Sequence, residues 1–384
     1  MDGIYLDWAA TAPPYPDLSR AAAELAVDLF GNPSSAHAAG RAAKTAFEEA
    51  RKRLAKALGC APGHVKFTSG GSEANAIVLL SLVYAASGGS AVISAIEHSA
   101  VYEQAMVLER FGIRVRVVKP GPAGIVRPGD VADAVDADTR LVSIMAVNNE
   151  TGAIQPIGDI VSAVRDASKG FRKAPLVHSD AVQAFGKIGF KPAELGLDAA
   201  SMSAHKLGGP RGSGCLYLAR GLDVLVRGGG QEDGIRPGTH NLAGAWAFSQ
   251  AAERACADLP ASLGNARSLE ARLLDGLRSI PGARVLPDGR VPASTNYSPY
   301  IVGAAFPGLG GETLARVLDD QGICVSTGAA CSHAKKERRV MDAMGVDRDL
   351  SFSAVRISTG RDSTAADIDR FLEAAESAYR RYKT

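Results

Sequence analysis

Three segments of the sequence place polar or reactive side chains directly after apolar runs. In residues 66–75, KFTSGGSEAN, small residues join a predicted strand to a predicted helix, so amide N–H groups and the hydroxyls of Ser69 and Ser72 could bind an anion. Asp180 follows a second apolar run, and a buried carboxylate there needs a cationic or hydrogen-bonding partner. Lys206 follows a third, and a lysine held in a dry site can lose its proton and attack an aldehyde.

Each of these features has an ordinary alternative when it is taken alone. The small-residue loop could simply cap a helix, Asp180 could cap the helix that follows it, and Lys206 could lie on the surface. The loop matches neither the nucleotide P-loop nor the dinucleotide pattern, which favours a phosphate smaller than that of a nucleotide. Together, the three features supply what pyridoxal phosphate requires: a phosphate site, a carboxylate for its pyridine nitrogen and an amine for a Schiff base. We therefore predict pyridoxal 5′-phosphate as the cofactor.

Further motifs extend over most of the chain. They are YLDWAATAP from Tyr5, FGNPSSAH at 30–37, the pair Glu97-His98, VSIMAVNNETGAIQPI at 142–157, GGGQEDGIRPGT at 228–239, VSTGAACS at 325–332 and VRISTGR ending at Arg361. With the three segments above, these motifs resemble those of the cysteine desulfurases, in the class V aminotransferase group of the fold-type I pyridoxal phosphate enzymes. The resemblance covers nearly the whole sequence.

The resemblance implies a set of residues that bind the cofactor. Lys206 would form the Schiff base, Asp180 would pair with the pyridinium and Gln183 would donate to the phenolic oxygen of the cofactor. His98 would stack on the ring and shuttle protons, and Thr239 would reach the phosphate from a second subunit, which implies a homodimer. The full implied set is Gly71, Ser72, His98, Asp180, Gln183, Ser203, His205, Lys206 and Thr239.

The resemblance also implies the substrate site and the nucleophile. Asn149 and Arg356 would hold the substrate carboxylate, the arginine through a planar two-pronged contact. Cys331 lies in the small, polar segment STGAACSHAKKE, which is typical of a loop, and a basic cluster beside it favours its thiolate. That cluster is Lys335, Lys336, Arg338 and Arg339, and the cysteines that we interpret as structural are Cys60, Cys215, Cys256 and Cys324.

The implied activity is the conversion of L-cysteine to L-alanine, with the sulfur carried as a persulfide on Cys331 and passed to an acceptor protein. Another class V activity, an aminotransferase or a selenocysteine lyase, is the nearest alternative, and a non-catalytic scaffold is the second. The destination of the sulfur stays open among iron–sulfur cluster assembly, tRNA thiolation, cofactor sulfuration and DNA phosphorothioation.

The sequence departs from the family pattern at two places. These are Gly71-Ser72 in place of Ala-Thr and Asp233 in place of Arg.

The elements that must position these residues fall into two groups. From residue 64 to about 220, apolar runs such as 141–147 and 214–218 alternate with helical patterns such as 72–86, which predicts a mostly parallel sheet covered on both faces. After about residue 260, helices such as 266–279 surround a few strands, which predicts a smaller α+β domain. We expect a large domain at 16–258, and a small domain at 259–384 that is completed by residues 1–15.

Composition excludes several classes of function. The 384 residues carry 43 basic and 41 acidic side chains, so the net charge of +2 gives no general attraction to nucleic acid. No secretory signal is visible, and the most apolar stretch, 76–86, is short of the roughly 18 residues of a membrane span. The five cysteines form no close C-x-x-C pair, so neither a disulfide framework nor a metal site is predicted. We expect a cytoplasmic location.

Overall fold

The computed structural model describes residues 3–85, 88–328 and 338–383. Its strands are β1 (Ile4–Tyr5), β2 (Val65–Thr68), β3 (Ser90–Ser94), β4 (Arg114–Val118), β5 (Thr139–Ser143), β6 (Leu176–Asp180), β7 (Ala199–Ser203), β8 (Gly214–Leu218), β9 (Arg284–Leu286), β10 (Ile301–Ala305), β11 (Ile323–Cys324) and β12 (Ala354–Ser358). Its α-helices are α1 (Pro16–Asp28), α2 (Ala38–Leu58), α3 (Gly71–Leu80), α4 (Ser99–Glu109), α5 (Pro128–Asp133), α6 (Ile157–Ala167), α7 (Leu242–Ala257), α8 (Leu259–Ser279), α9 (Gly311–Asp319), α10 (Arg339–Ala343), α11 (Arg348–Phe352) and α12 (Ala365–Tyr382).

The largest sheet has seven strands in the order β2-β8-β7-β6-β5-β3-β4. Neighbours from β4 to β7 run parallel, and β8 is antiparallel to both β7 and β2. Every residue of β3, β6, β7 and β8 is buried, as expected for strands covered by helices on both faces. The predicted mostly parallel α/β sheet is therefore confirmed.

A second sheet is formed by the later part of the chain. Strands β9, β10 and β12 are antiparallel in the order β12-β10-β9, and β1 pairs in parallel with β11. Leu6, which follows β1, packs into the same apolar core as Leu273, Phe306 and Phe371. The start of the chain is thereby attached to this second group of elements.

We propose the domain division 16–258 and 259–384, with 1–15 completing the second unit, because the large sheet and the second group of elements each have an apolar core of their own. Helix α7 ends at Ala257 and α8 begins at Leu259, so the boundary coincides with a break between helices. Val340 and Met344 pack into the apolar core of the large sheet, although they belong to the second range. The segment that follows residue 337 therefore contacts both units.

Several predicted boundaries were wrong by a few residues. The strand predicted at 141–147 ends at Ser143, although the amides of Ile144 and Ala146 still donate to carbonyls of β6. The helix predicted at 72–86 is α-helical only to Leu80 and continues as a 3₁₀ turn over Ser81–Ala85. Helix α8 begins at Leu259 rather than at 266, because a proline in its first turn fits a helix start. No helix of 18 or more residues among those described is apolar enough to cross a membrane.

Candidate active site

Asp180 ends strand β6 and is held by two hydrogen-bond donors. The Nδ2 of Asn75 donates to its Oδ2 at 2.7 Å, and the amide of Val182 donates to its Oδ1 at 3.0 Å. Only 5% of Asp180 is exposed, and the Oδ1 of Asn75 is buried without a partner. The two donors lower the cost of burying the carboxylate and leave its negative charge available to a cationic ligand.

Lys206 ends the 3₁₀ turn Ala204–Lys206 that follows strand β7. Its Nζ donates to the carbonyl oxygens of Ala9 and Ala10 at 2.7 and 2.6 Å. The N-terminal segment therefore lies directly on the site, at the carboxyl end of the parallel strands where ligands of such sheets bind.

His205 and Gln183 contact the same N-terminal segment. The Nδ1 of His205 lies 3.1 Å from the hydroxyl of Thr11, and burial together with the positive charge of Lys206 lowers the pKa of His205 to about 4. The Nε2 of Gln183 donates at 2.8 Å to the carbonyl of Ala9, which also accepts from Lys206. The side chains of Gln183 and Lys206 thus donate to the same carbonyl oxygen, that of Ala9.

His98 caps the N-terminus of helix α4. Its Nδ1 accepts from the amide of Ala100 at 3.1 Å, so the neutral ring carries its proton on Nε2. Burial lowers the pKa of His98, the negative charge of Asp180 opposes that shift, and the positive charges of Lys206 and then Arg339 and Arg356 add to it. The imidazole ring of His98 is therefore close enough to Asp180, Lys206 and Arg356 to interact with their charges.

The N-terminus of helix α3 supplies an anion-binding loop, which we define as residues 69–72. The amides in the first turn of a helix have no partner within the helix, so those of Gly71 and Ser72 are available to an anion. A Cβ atom at Gly71 would lie 2.6 Å from Cγ2 of Val182, and one at Gly70 would lie 4.0 Å from the hydroxyl of Ser203. Ser203 therefore borders the loop, and the glycine that replaces the usual Ala at 71 makes room for Val182.

Arg356, on strand β12, is buried and has partners at two of its three nitrogens. Its Nη1 donates to the carbonyl of Asn149 at 2.9 Å and its Nη2 to the carboxylate of Asp7 at 2.6 Å, whereas Nε is buried without a partner. Arg356 is thus held from two sides, and further N–H donors of its guanidinium remain for a ligand. The structure brings Asn149 and Arg356 together through the backbone of Asn149.

Thr239 is exposed, and within the described ranges its side chain forms no hydrogen bond. The loop that precedes it is fixed by Glu232, whose carboxylate accepts two 2.8 Å hydrogen bonds from Arg51. Burial alone would raise the pKa of Glu232, but hydrogen bonds from Arg51 and His240 lower it to about 2. Asp233, which replaces the usual Arg, forms an ion pair with Lys66.

Cys331 lies outside the described residues, as do His333, Lys335 and Lys336. Of the basic cluster, Arg338 donates to the carbonyl of Thr327 at 2.6 Å, and Arg339 donates to the carbonyls of Ala95 and Glu97. Within the described part of the chain, no group of His, Cys, Asp or Glu side chains is arranged to hold a metal.

The residues present fit pyridoxal 5′-phosphate. The anion-binding loop suits its phosphate, the hydrogen-bonded carboxylate of Asp180 suits a protonated ring nitrogen, and Lys206 supplies the amine. The side-chain Oδ1 of Asn75, buried and without a partner beside Asp180, is an acceptor that a polar ligand group at this corner of the site could satisfy.

Comparisons with known proteins agree with this geometry. The family model described as aminotransferase class-V matches residues 4–371. The cysteine desulfurase IscS of Dictyoglomus turgidum is 34% identical, covering 99% of this chain and 95% of its own, and that of Methanosarcina thermophila is 35% identical, covering 96% and 90%. A solved structure titled NIFS-LIKE PROTEIN is 35% identical with a TM-score of 0.89, covering 98% of this chain and 99% of that one. The chain belongs to the class V aminotransferase family.

Three residues that contact the site were not predicted from the sequence. Asn75 lies four positions after Gly71 and therefore on the same side of α3, a spacing that could have indicated it. Asp7 and Lys187 carried no such signal, because their contacts with Arg356 and Gln183 depend on the tertiary fold.

Proposed function

We propose that this site takes the sulfur atom from L-cysteine, releases L-alanine and holds the sulfur as a persulfide on Cys331. The chain is a cysteine desulfurase that depends on pyridoxal 5′-phosphate. The observation that carries the assignment to this site is that Lys206 and Arg356 both bind the N-terminal segment, at Ala9 and Asp7, next to the carboxyl end of β6 where Asp180 lies.

Each of these side chains has a separate task. When it is bound, the cofactor withdraws electrons from the substrate through its protonated ring. Asp180, held in place by hydrogen bonds from Asn75 and Val182, would pair with the ring nitrogen of the cofactor. Lys206 attaches the cofactor and is held ready by the carbonyls of Ala9 and Ala10.

His98 would stack on the cofactor ring and exchange protons with the substrate. Because its Nδ1 accepts from Ala100, the neutral imidazole presents an N–H at Nε2, and taking up a second proton requires the loss of that cap contact. The lowered pKa of His98 keeps the ring in this neutral, donating form near neutral pH.

The transfer of sulfur is balanced without a further reactant. The Cβ–S bond of L-cysteine breaks, a bond forms between its sulfur and Sγ of Cys331, and a proton replaces the sulfur on Cβ. The persulfide then passes to a thiol of an acceptor protein by exchange. Capture of sulfur-loaded protein with its acceptor would identify that partner, and transfer only to small thiols would contradict a protein acceptor.

We propose that the active form is a homodimer to which each chain contributes Thr239. The exposed position of Thr239 supports this, as do large apolar side chains at the surface, with Phe30 80% and Val226 67% exposed. Sedimentation should give twice the 39.8 kDa of one chain, and the mass of a single chain would contradict the proposal. The cytoplasmic location stays a prediction.

The products distinguish desulfuration from the activities of related enzymes. Holoenzyme incubated with L-cysteine and dithiothreitol should release L-alanine and sulfide in equal amounts. A keto acid without sulfide would indicate an aminotransferase, and turnover of selenocysteine alone would indicate a lyase. A purified protein that binds no cofactor would indicate a scaffold.

Substituting Arg356 by lysine should raise the KM for L-cysteine by roughly one to two orders of magnitude. This is the loss of affinity that corresponds to one hydrogen bond to a charged group. A lysine cannot contact Asn149, Asp7 and a substrate carboxylate at once, because it lacks the planar fork. Steady-state kinetics would measure KM, and cofactor affinity should stay unchanged as the control. An unaltered KM would remove Arg356 from the substrate site.

A further inference from the structure

Lys187 is a buried amine that the proposed mechanism does not use. It lies seven residues after Asp180, is 9% exposed, and within the described ranges takes part in no ion pair. Burial, and then the positive charges of Lys206 and Arg356, lower the pKa of Lys187 to about 7. A buried amine without a counterion destabilises a fold, so packing alone does not explain it.

The polar contact of Lys187 is with the side chain of Gln183. The Nζ of Lys187 donates to Oε1 of Gln183 at 2.8 Å, and Nε2 of Gln183 donates to the carbonyl of Ala9 at 2.8 Å. The two ends of a glutamine amide have nearly the same size, so shape alone does not determine which end faces the site. In its protonated form a lysine has donors only, and in that form it requires the carbonyl end of the amide to face it.

We propose that Lys187 is a positioning residue that orients the amide of Gln183 so that its N–H group faces the cofactor. This rests on the proposed function, in which Gln183 donates to the phenolic oxygen of the cofactor. In the opposite orientation, the carbonyl of Gln183 would face that oxygen and repel it. Lys187 and the carbonyl of Ala9 thus favour the same orientation of the Gln183 amide, in which Gln183 attracts the cofactor, and Lys187 does so without touching the cofactor itself.

A second effect of Lys187 has to be separated from this one. Lys206 and Arg356 are close enough for their positive charges to lower the pKa of Lys187, so Lys187 could in turn attract an anionic cofactor through its charge alone. Orientation acts only through Gln183, whereas charge acts whatever residue stands at 183. A double-mutant cycle between the two positions distinguishes the two effects.

The test measures the dissociation constant of pyridoxal 5′-phosphate from the apoprotein by absorbance, together with the thermal stability of the apoprotein. Lys187→Met should weaken cofactor binding roughly tenfold, about the value of one hydrogen bond to a charged group. Its apoprotein should melt at the same temperature or higher, since a buried charge has been removed. Lys187→Arg keeps a donor-only side chain and should restore the affinity. Lys191→Met is the matched control, because Lys191 donates to Ala57 away from the site, and it should leave the affinity unchanged.

The cycle is completed by Gln183→Leu, alone and combined with Lys187→Met. In the Gln183→Leu background, Lys187→Met should change the affinity by less than about twofold. A loss of affinity equal in both backgrounds would overturn the proposal in favour of a charge effect. If Gln183→Leu alone left the affinity unchanged, the proposed role of Gln183 would fail instead. Should the Lys187→Met variant not fold, Lys187→Gln provides the test, since its amide can present either end; an unchanged affinity would overturn the proposal.

Discussion

Substituting Lys206 by alanine is expected to lower L-cysteine turnover by at least about a thousandfold, within the range for a positioned acid–base group. The same variant should carry no cofactor after treatment with borohydride and denaturation, because alanine has no amine to attach it. The Nζ of Lys206 donates to Ala9 and Ala10 in the N-terminal segment. Lys206 follows strand β7, which is the neighbour of the strand that ends at Asp180. Mass spectrometry of the reduced chain would measure the attachment.

The matched control is Lys191→Ala, whose amine contacts Ala57 and lies outside the site. It should retain both turnover and the covalently fixed cofactor. The apoprotein of the Lys206→Ala variant should remain folded, because the hydrogen bonds to Ala9 and Ala10 contribute only about 1.5–3 kcal/mol each. A reduced cofactor still attached to the Lys206→Ala variant, at any lysine of the site, would show that the amine was assigned wrongly.

The backbone framework of the site could be predicted from the sequence because it depends on local patterns. Apolar runs determine the strands, and the polar residue after each run must lie at the carboxyl edge of a parallel sheet. Asp180 and Lys206 follow this rule, since they lie at and just beyond the ends of neighbouring strands β6 and β7. The ends of helix α2 also depend on local signals, because the helix starts after the capping residue His37 and ends before Gly59.

The contacts that complete the site could not be predicted, because they join distant parts of the chain. The carbonyls of Ala9 and Ala10 are backbone groups, and no residue type marks them as partners of Lys206. A lysine such as Lys187 is expected at the surface from its charge, and only the fold shows it buried beside Gln183. Arg356 was predicted as a ligand of the substrate, whereas its ion pair with Asp7 depends on how the N-terminal segment lies on strand β12.

Substituting Cys331 by serine is expected to reduce sulfide release and protein-bound persulfide to background while leaving the absorbance of the bound cofactor intact. A hydroxyl lacks the nucleophilicity of a thiolate and cannot hold sulfane sulfur. The four described cysteines are poor substitutes, since burial raises the pKa of each above its ordinary value, for Cys60 to about 11. They would be overwhelmingly protonated near neutral pH, so the nucleophile must be sought elsewhere in the chain.

The matched control is Cys324→Ser, at a residue that pairs with β1 and whose thiol contacts Asp319. Burial and the negative charge of Asp319 both favour the protonated thiol of Cys324, so its loss should leave sulfide release unchanged. Persulfide would be detected by alkylation and peptide mass spectrometry after one round of L-cysteine. If the Cys331→Ser variant kept normal sulfide release and the Cys324→Ser variant lost it, the nucleophile would lie on β11, and the sulfur would be received beside the N-terminal strand.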